Sequence, residues 1–262
     1  MSLLEKENIL QLIDKHLNNF ELEVFQTIDS TNRYLFNLPL ADKIKICIAD
    51  EQTAGRGRRG KNWHSPAGCN LYMSFAHRLH IEASALSGLS LAVGITLAET
   101  LQEFCQDQIQ VKWPNDLLVN GKKLSGILVE IKNESDGSYK IITGIGVNVS
   151  MPKGAINVIE QPFISLEQCH LLSDISRSKL VASIISKVLA TVTEFENNGF
   201  DSFYQKWNQR DAWYGEPVVI EIGKKKILGK HAGIDSTGAL LLEQEGKINS
   251  FSSGEVSLRS AN

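Results

Sequence analysis

Residues 52–63 read QTAGRGRRGKNW, and the part from Gly55 to Lys61 holds three glycines and four cationic side chains in seven positions. An ordinary turn needs one or two glycines at positive φ, so turn chemistry alone does not explain this density of glycine and charge. Arginine's planar guanidinium suits carboxylate and phosphate, and glycine lets backbone N–H groups approach the same oxygens. The stretch therefore predicts a loop that closes over an anion, against the simpler alternative of a solvated basic loop.

Gly55, Gly57 and Gly60 also fit the Gly-x-Gly-x-x-Gly spacing of dinucleotide-binding turns. We reject that interpretation because arginines fill the intervening positions and no strand–helix–strand pattern frames the loop. No apolar helical pattern follows Trp63 either. The anion-binding interpretation therefore stands without a dinucleotide fold.

The composition is that of an ordinary globular protein, with 262 residues of which 42% are hydrophobic and 22% charged. A net charge of −3 gives no overall cationic field, which counts against DNA as the main partner. No apolar stretch is long enough for a membrane span, and the first residues lack a signal-peptide pattern. The four cysteines, at positions 47, 69, 105 and 169, lack paired spacing, so neither a disulfide nor a zinc site is expected. We expect a cytoplasmic protein with no DNA or membrane partner.

Hydrophobic periodicity predicts an α+β fold, a mixed sheet flanked by helices, because strands are grouped without regular alternation with helices. Strands are predicted at 23–28, 45–49, 70–76, 109–113, 117–119, 126–132 and 140–149. Helices are predicted within the first twenty residues and at 86–104, 180–195 and 201–210. Asn120-Gly121 predicts a type I′ hairpin whose arms carry Asp116 and Lys123, so these two side chains can converge.

After residue 213 the pattern changes to short alternating strands, predicted at 218–222, 227–234, 239–243 and 247–252. Turn sequences rich in glycine and charge separate them. We therefore divide the chain into a larger domain, residues 1–213, and a small β-barrel-like domain, residues 214–262.

Five blocks, in this order, resemble the biotin protein ligases: Ser30-Thr31-Asn32, the loop at 55–60, KWPND at 112–116, KLSGILVE at 123–130 and GIGVN at 144–148. The resemblance runs from about Ile28 to Arg259. It implies a biotin/lipoate ligase-like catalytic domain followed by a C-terminal SH3-like β-barrel, whose closing segment, 253–259, reaches back toward the active site. The stretch before Ser30 is too short for the winged-helix domain of members that repress transcription, so we expect a ligase without a repressor module.

The resemblance implies a reaction in two halves. Biotin's carboxylate attacks the α-phosphorus of ATP to give biotinyl-5′-AMP, and a lysine of a biotin carboxyl carrier protein domain then attacks the mixed anhydride. Both halves need two anions held in line, with compensation of the developing charge, and neither needs a protein nucleophile. ATP and Mg²⁺ are the implied cofactors, biotin and the carrier domain the implied partners, and a homodimer through exposed sheet edges is left open.

The resemblance assigns catalysis to Lys123, Arg58, Lys112 and Asp116. Lys123 matches the lysine that contacts biotin's carboxylate and the reacting phosphate. Asp116 has two alternative roles, as partner of the incoming lysine or of Mg²⁺, and no metal ligand is assigned. Biotin contacts are assigned to Ser30, Thr31, Asn32, Gln52, Gly55, Arg56, Gly57, Arg58, Trp63, Lys123 and Gly126. Contacts with ATP or the adenylate are assigned to Arg58, Lys112, Asn115, Gly144, Gly146, Asn148, Phe163 and Arg259.

Phe163 stands where relatives can offer a tryptophan to stack on adenine. Two alternative functions are lipoate- or octanoate-type acyl transfer to a carrier domain and, less favoured, a biotin-responsive DNA-binding repressor. The arginine loop, residues 55–60, and the KWPND block disfavour acyl transfer of the octanoate type, because an octanoyl carrier enzyme needs no nucleotide site. The short N-terminus and the net charge of −3 disfavour the second.

Overall fold

The structure, a computed structural model, describes residues 4–39, 42–81, 86, 88–152, 154–155, 158–172, 176–252 and 256–260. Its first sheet contains β1 (Phe20–Ile28), β2 (Ile44–Gln52), β3 (Leu71–Leu79), β4 (Gln110–Lys112), β5 (Asp116–Val119), β6 (Lys122–Asn133) and β7 (Tyr139–Val147). The strand order is β1-β2-β3-β7-β6-β5-β4, in which β1 and β2 are parallel and the other neighbours antiparallel. The predicted mixed sheet is confirmed.

Among the described residues, five α-helices accompany this sheet: α1 (Lys6–Leu12), α2 (Thr31–Asn37), α3 (Leu89–Gln102), α4 (Arg177–Asn198) and α5 (Asp201–Arg210). Successive residues of a strand face opposite sides of the sheet. On β2, Ile46 and Ile48 therefore join the large core with α3 and α4, whereas Cys47 joins a smaller cluster under α2. Helix α2, which the sequence did not predict as an element, carries the parallel crossover from β1 to β2.

Two helix ends follow their sequence signals. The Ser176 hydroxyl accepts a hydrogen bond from the backbone N–H of Lys179 and begins α4, as an N-cap serine does. The helix ends at Gly199, whose φ of 65° is readily adopted only by glycine. Helix α3 is buried along most of its length between the sheet and α4, which its uncharged sequence before Glu99 permits.

The C-terminal part forms a five-stranded antiparallel sheet of β8 (Pro217–Ile222), β9 (Lys225–Ile234), β10 (Leu240–Gln244), β11 (Lys247–Phe251) and β12 (Val256–Ser260). The order is β11-β10-β9-β8-β12. The four predicted strands are present, and β12 adds a fifth that the sequence did not predict. Within the described ranges β11 and β12 remain separate edges, so the sheet is open there and not a closed barrel.

Buried polar contacts fix the C-terminal sheet against the first sheet. The Trp113 indole N–H donates to the carbonyl of Gly238 at 3.1 Å. His231 Nδ1 accepts from the backbone N–H of Gly233 at 3.3 Å, and its Nε2 lies 2.8 Å from Asp211 Oδ2. These contacts bring β12 to the edge of the cavity described below. None of the described helices has both the length and the apolar composition needed to cross a membrane.

Candidate active site

A cavity of about 950 Å³ lies over β6 and β7. The loop at 55–65, the first turn of α2, the segment 158–163 and the strand β12 form its walls. Its volume is typical of sites that enclose a small-molecule ligand. The cavity brings together all the sequence-assigned site residues except Lys112, which lies behind its wall.

The floor of the cavity is a glycine surface beneath the indole of Trp63. Gly126 and Gly146 are paired across β6 and β7. A Cβ atom on Gly126 would lie 2.9 Å from the indole ring, and one on Gly146 would lie 2.5 Å from it. Gly144 leaves similar room for the carboxamide of Asn32. Glycine is therefore required in these strands because protein side chains occupy the space, an outcome that the sequence assignment to ligand contact did not anticipate.

One wall is a hydrogen-bonded polar cluster at the start of α2. The backbone N–H and the hydroxyl of Thr31 both donate to Gln52 Oε1, at 2.9 and 3.1 Å. Gln52 Nε2 donates to Ser65 Oγ at 2.9 Å, and Ser74 Oγ lies 2.6 Å from Asn32 Oδ1. Because buried polar groups are costly when unpaired, this network holds the wall in one geometry. Sequence reasoning missed Ser65 and Ser74.

Glu130 is a further residue that sequence reasoning missed. Its carboxylate pairs with the Arg56 guanidinium at 2.8 Å and accepts from Asn32 Nδ2 at 2.9 Å. The alternation of β6 could have identified it, because Glu130 lies on the same face as Gly126. One carboxylate thus orients both a loop arginine and a residue of the polar wall.

Arg58 reaches across the cavity to the KWPND block. Its Nη1 donates to Asn115 Oδ1 at 3.2 Å, and Asn115 Nδ2 donates in turn to the carbonyl of Ile127 at 2.8 Å. Burial lowers the pKa of Arg58 from its usual value, and the nearby Asp116 carboxylate opposes that shift. An arginine guanidinium stays protonated under these conditions, so Arg58 supplies a fixed positive charge inside the cavity.

Asp116 lies between two lysines. The Lys123 ammonium contacts one carboxylate oxygen at 2.6 Å, and the Lys112 ammonium contacts the other at 3.5 Å. Burial raises the pKa of Asp116, but the two ammonium groups outweigh it and hold the pKa below its usual range. Burial also lowers the pKa of Lys112, whose ammonium lies over the Trp213 ring at 4.9 Å. The predicted convergence of Asp116 and Lys123 is therefore observed, with Lys112 behind them.

The backbone of Lys123 is fixed by the segment that carries Phe163. Lys123 donates its N–H to the carbonyl of Pro162 at 3.0 Å, and its carbonyl accepts from Ile164 N–H at 3.0 Å. Asn148 Nδ2 donates to the carbonyls of Lys123 and Ile164, both at 3.1 Å. Asn148, which was assigned to the nucleotide, thus uses its amide hydrogens to hold Lys123 in place. Phe163 is half-buried beside Lys123.

The C-terminal sheet contributes to the cavity through β12. Arg59, at a φ of 56° that is uncommon outside glycine, donates to Ser257 Oγ at 2.7 Å. Arg259 lines the cavity and lies 3.6 Å from the Glu221 carboxylate. Of the closing segment predicted to reach the site, residues 253–255 lie outside the described residues. The described part of β12 contacts the arginine loop directly.

Taken together, a polar wall, a glycine floor and a cluster of lysine and arginine side chains define a largely preformed cleft for an anionic small molecule.

Residues 24–148 match the biotin/lipoate A/B protein ligase family, and residues 214–259 match the biotin protein ligase C terminal domain. The bifunctional ligase/repressor BirA of Salmonella typhimurium is 41% identical over 261 residues, which cover 96% of this chain and 80% of that protein.

Two further relatives agree with this match. The biotin–[acetyl-CoA-carboxylase] ligase of Paracoccus denitrificans is 34% identical over 221 residues, or 82% of this chain and 90% of that protein. The solved biotin protein ligase from Aquifex aeolicus, in complex with biotin and ATP, gives a TM-score of 0.76 at 31% identity, over 92% of this chain and 99% of that one. The present chain belongs to the biotin protein ligase family.

Proposed function

We propose that this chain is an ATP-dependent biotin protein ligase, an enzyme that forms a C–N bond between biotin and a lysine of a biotin carboxyl carrier protein domain. The observation that carries the proposal is the convergence of Lys123, Arg58 and Arg259 on one cavity with a hydrogen-bonded polar wall. Such a cavity accommodates a polar ring at one end and two anionic groups at the other. The named activities of the Paracoccus and Aquifex relatives support the same reaction.

The chemistry has two balanced steps. A biotin carboxylate oxygen attacks the α-phosphorus of ATP and pyrophosphate leaves, which gives biotinyl-5′-AMP. The amine of the acceptor lysine then attacks the acyl carbon, AMP leaves, and the new amide nitrogen loses a proton. Negative charge develops on phosphate oxygens in the first step and on the acyl oxygen in the second. The protein's task is to hold the reactants in line and to stabilise that charge.

In this proposal Lys123 supplies the central charge, and Asp116 positions it. The 2.6 Å ion pair holds the Lys123 ammonium at the Asp116 carboxylate, between the two arms of the hairpin. When the biotin carboxylate and a phosphate enter, their oxygens compete for the same ammonium. The pairing of Asp116 with Lys123 and Lys112 is separate from the two roles left open for it, as partner of the incoming acceptor lysine or of Mg²⁺, and both of those stay predictions.

The arginine loop acts as the cover of the site. Arg56 is anchored through Glu130 on β6, and Arg58 is anchored through Asn115 beside β5. Both guanidinium groups therefore lie over the cavity from opposite sides of the loop. A covered site keeps water from the mixed anhydride and strengthens each ionic contact inside it.

Magnesium enters this scheme as part of the substrate complex MgATP. Asp116 is the buried carboxylate among the described lining residues, and its two oxygens already contact Lys123 and Lys112. Mg²⁺ commonly binds through substrate phosphates with few protein ligands and several waters. We propose that the phosphates of ATP supply most of its coordination and that the lysines balance the remaining charge.

The proposal also includes two domains, residues 1–213 and 214–262, and a cytoplasmic location. The position of Arg259 and Ser257 in the cavity wall supports a role for the second domain in nucleotide binding. A homodimer through exposed sheet edges stays a prediction.

The test is to incubate the purified chain with biotin, MgATP and a biotin carboxyl carrier domain and to measure the acceptor's mass. A gain of one biotinyl group that requires both biotin and ATP supports the proposal. Parallel reactions with lipoate and with octanoate separate the alternative acyl transfer. A preference for either of those acids over biotin would overturn the assignment.

A further inference from the structure

Two cysteines that are far apart in the sequence lie together near the end of α3. Cys105 follows α3, and Cys169 follows the short 3₁₀ turn Leu166–Gln168. Both are buried. Their Sγ atoms and a carboxylate oxygen of Asp107 all lie within 4.8 Å of one another. The cluster lies outside the cavity described above, and its residues have no part in the proposed reaction.

The backbone around the cluster is fixed on both sides. Gln106 N–H donates to the carbonyl of His170 at 2.8 Å, and Leu172 N–H donates to the carbonyl of Phe104 at 3.0 Å. Cys105 and Leu171 form an antiparallel bridge between the same two segments. The two thiols therefore project from a short paired unit, whose hydrogen bonds hold the two segments in register.

A single glutamine shapes the turn that carries Asp107. Gln102 Nε2 donates to the carbonyls of Cys105 and Asp107, at 2.8 and 2.9 Å, and Gln102 Oε1 accepts from Ile109 N–H at 3.0 Å. Three hydrogen bonds from one side chain fix the turn from Cys105 to Ile109. The carboxylate is thus held beside the thiols before any ligand arrives.

Asp107 is also oriented from the other segment. Its Oδ2 accepts from the backbone N–H of His170 at 2.7 Å, and its Oδ1 lies 3.0 Å from the His170 ring Nδ1. Carboxylates that bind metals are commonly oriented by such outer hydrogen bonds. The His170 ring is exposed, so the side of the cluster that bears Asp107 and His170 faces solvent and provides an entry path.

We propose that Cys105, Cys169 and Asp107 form a binding site for a borderline-soft divalent cation of the Zn²⁺ type. Two sulfur ligands and one carboxylate match the ligand preference of zinc, and water completes the fourth position. Binding exchanges the two thiol protons for the metal ion. The bound ion would join the end of α3 to the segment that leads back to Phe163 and Lys123.

The test uses the full chain, reduced and freed of metal with a chelator, and titrated with Co²⁺ as a spectroscopic substitute for Zn²⁺. We expect one Co²⁺ per chain, a thiolate-to-cobalt charge-transfer band, and loss of that band when Zn²⁺ is added. Cys105→Ala and Cys169→Ala should each abolish the band. Cys69→Ala is the matched control, because Cys69 lies outside the cluster, and it should retain the band unchanged.

Asp107→Asn tests the third ligand with little disturbance of the core, and we expect its Zn²⁺ affinity to fall at least tenfold. Circular dichroism verifies the fold of every variant, and Asp107→Asn decides the matter if a cysteine variant does not fold. A folded wild-type chain without the band overturns the proposal, as does a disulfide between Cys105 and Cys169 that persists in reductant. Unchanged affinity in Asp107→Asn also overturns it. These readouts do not involve ligase activity.

Discussion

Replacement of Asp116 by asparagine should strongly destabilise the protein. The side chains of Asp116, Lys112 and Lys123 are 10%, 6% and 18% exposed, so solvent screens the three charges poorly. Asparagine keeps the shape but removes the carboxylate charge that the Lys112 and Lys123 ammonium groups contact. Removing one partner of a buried ion pair typically costs about 3–5 kcal/mol, and we expect a loss of about 3 kcal/mol in the free energy of unfolding.

The matched control is Lys112→Met. Methionine has a volume similar to that of lysine, so this change removes one buried charge and leaves Asp116 paired with Lys123. The free energy of unfolding should therefore change by no more than about 1 kcal/mol. Urea unfolding at pH 7 measures both variants, with the midpoint compared at a common slope.

The pH dependence gives a second check on the Asp116→Asn variant. Burial already lowers the pKa of Lys112, and the Asp116 carboxylate is the main group that raises it. Loss of that carboxylate should therefore lower the pKa of Lys112 further. A lysine whose folded-state pKa lies below its unfolded-state pKa weakens folding at low pH, and this loss shrinks as the pH rises through the folded-state pKa. The difference in the free energy of unfolding between the wild type and Asp116→Asn should therefore become smaller between pH 7 and pH 10. This reasoning would be refuted if Asp116→Asn lost no more free energy of unfolding than Lys112→Met, or if its loss were independent of pH.

Three further predictions concern residues around the same cavity and beneath it. Glu130→Gln removes the charge that anchors Arg56, so we expect KM for biotin to rise about tenfold with little change in stability, measured by steady-state ligation. Arg58→Gly should let the adenylate escape, which mass spectrometry detects as biotin on lysines of a bystander protein. Burial lowers the pKa of His77 to about 4 from 6.5, so the unfolded state binds the proton first as the pH falls. His77 should therefore lower the free energy of unfolding by about 3 kcal/mol between pH 7 and pH 4. The His77→Leu variant lacks the titrating group, so its free energy of unfolding should fall less over the same pH range.

Much of the fold follows from local sequence signals. Asn120 and Gly121 have φ values of 50° and 73°, as a type I′ turn requires. That turn pairs Leu118 with Lys123, so the predicted convergence of Asp116 and Lys123 is confirmed. A bulge between Leu117 and Leu118, which the sequence did not predict, shifts the pairing and places Asp116 opposite Gly126. Gly199 likewise ends α4 where its sequence predicts. In each case residues close in sequence determine the geometry.

The features that escaped prediction depend on contacts between distant residues. Helix α2 has only seven residues, too few for stability on its own. The Lys140 ammonium, more than a hundred positions away, contacts the carbonyls of Phe36 and Leu38 at its C-terminal end. The burial of Lys112 behind Asp116 depends in the same way on Trp213. Local periodicity carries no information about such pairings.

The most direct test of the central claim is biotin-dependent exchange of labelled pyrophosphate into ATP, measured for the wild-type chain and for Lys123→Ala. This assay follows the first step alone and needs no acceptor. The account predicts exchange that requires biotin in the wild type. It also predicts loss of exchange in Lys123→Ala, although calorimetry still detects biotin binding to that variant. Exchange at the wild-type rate in Lys123→Ala would contradict the role assigned to this lysine, and a wild-type chain that binds biotin without any exchange would contradict adenylation itself.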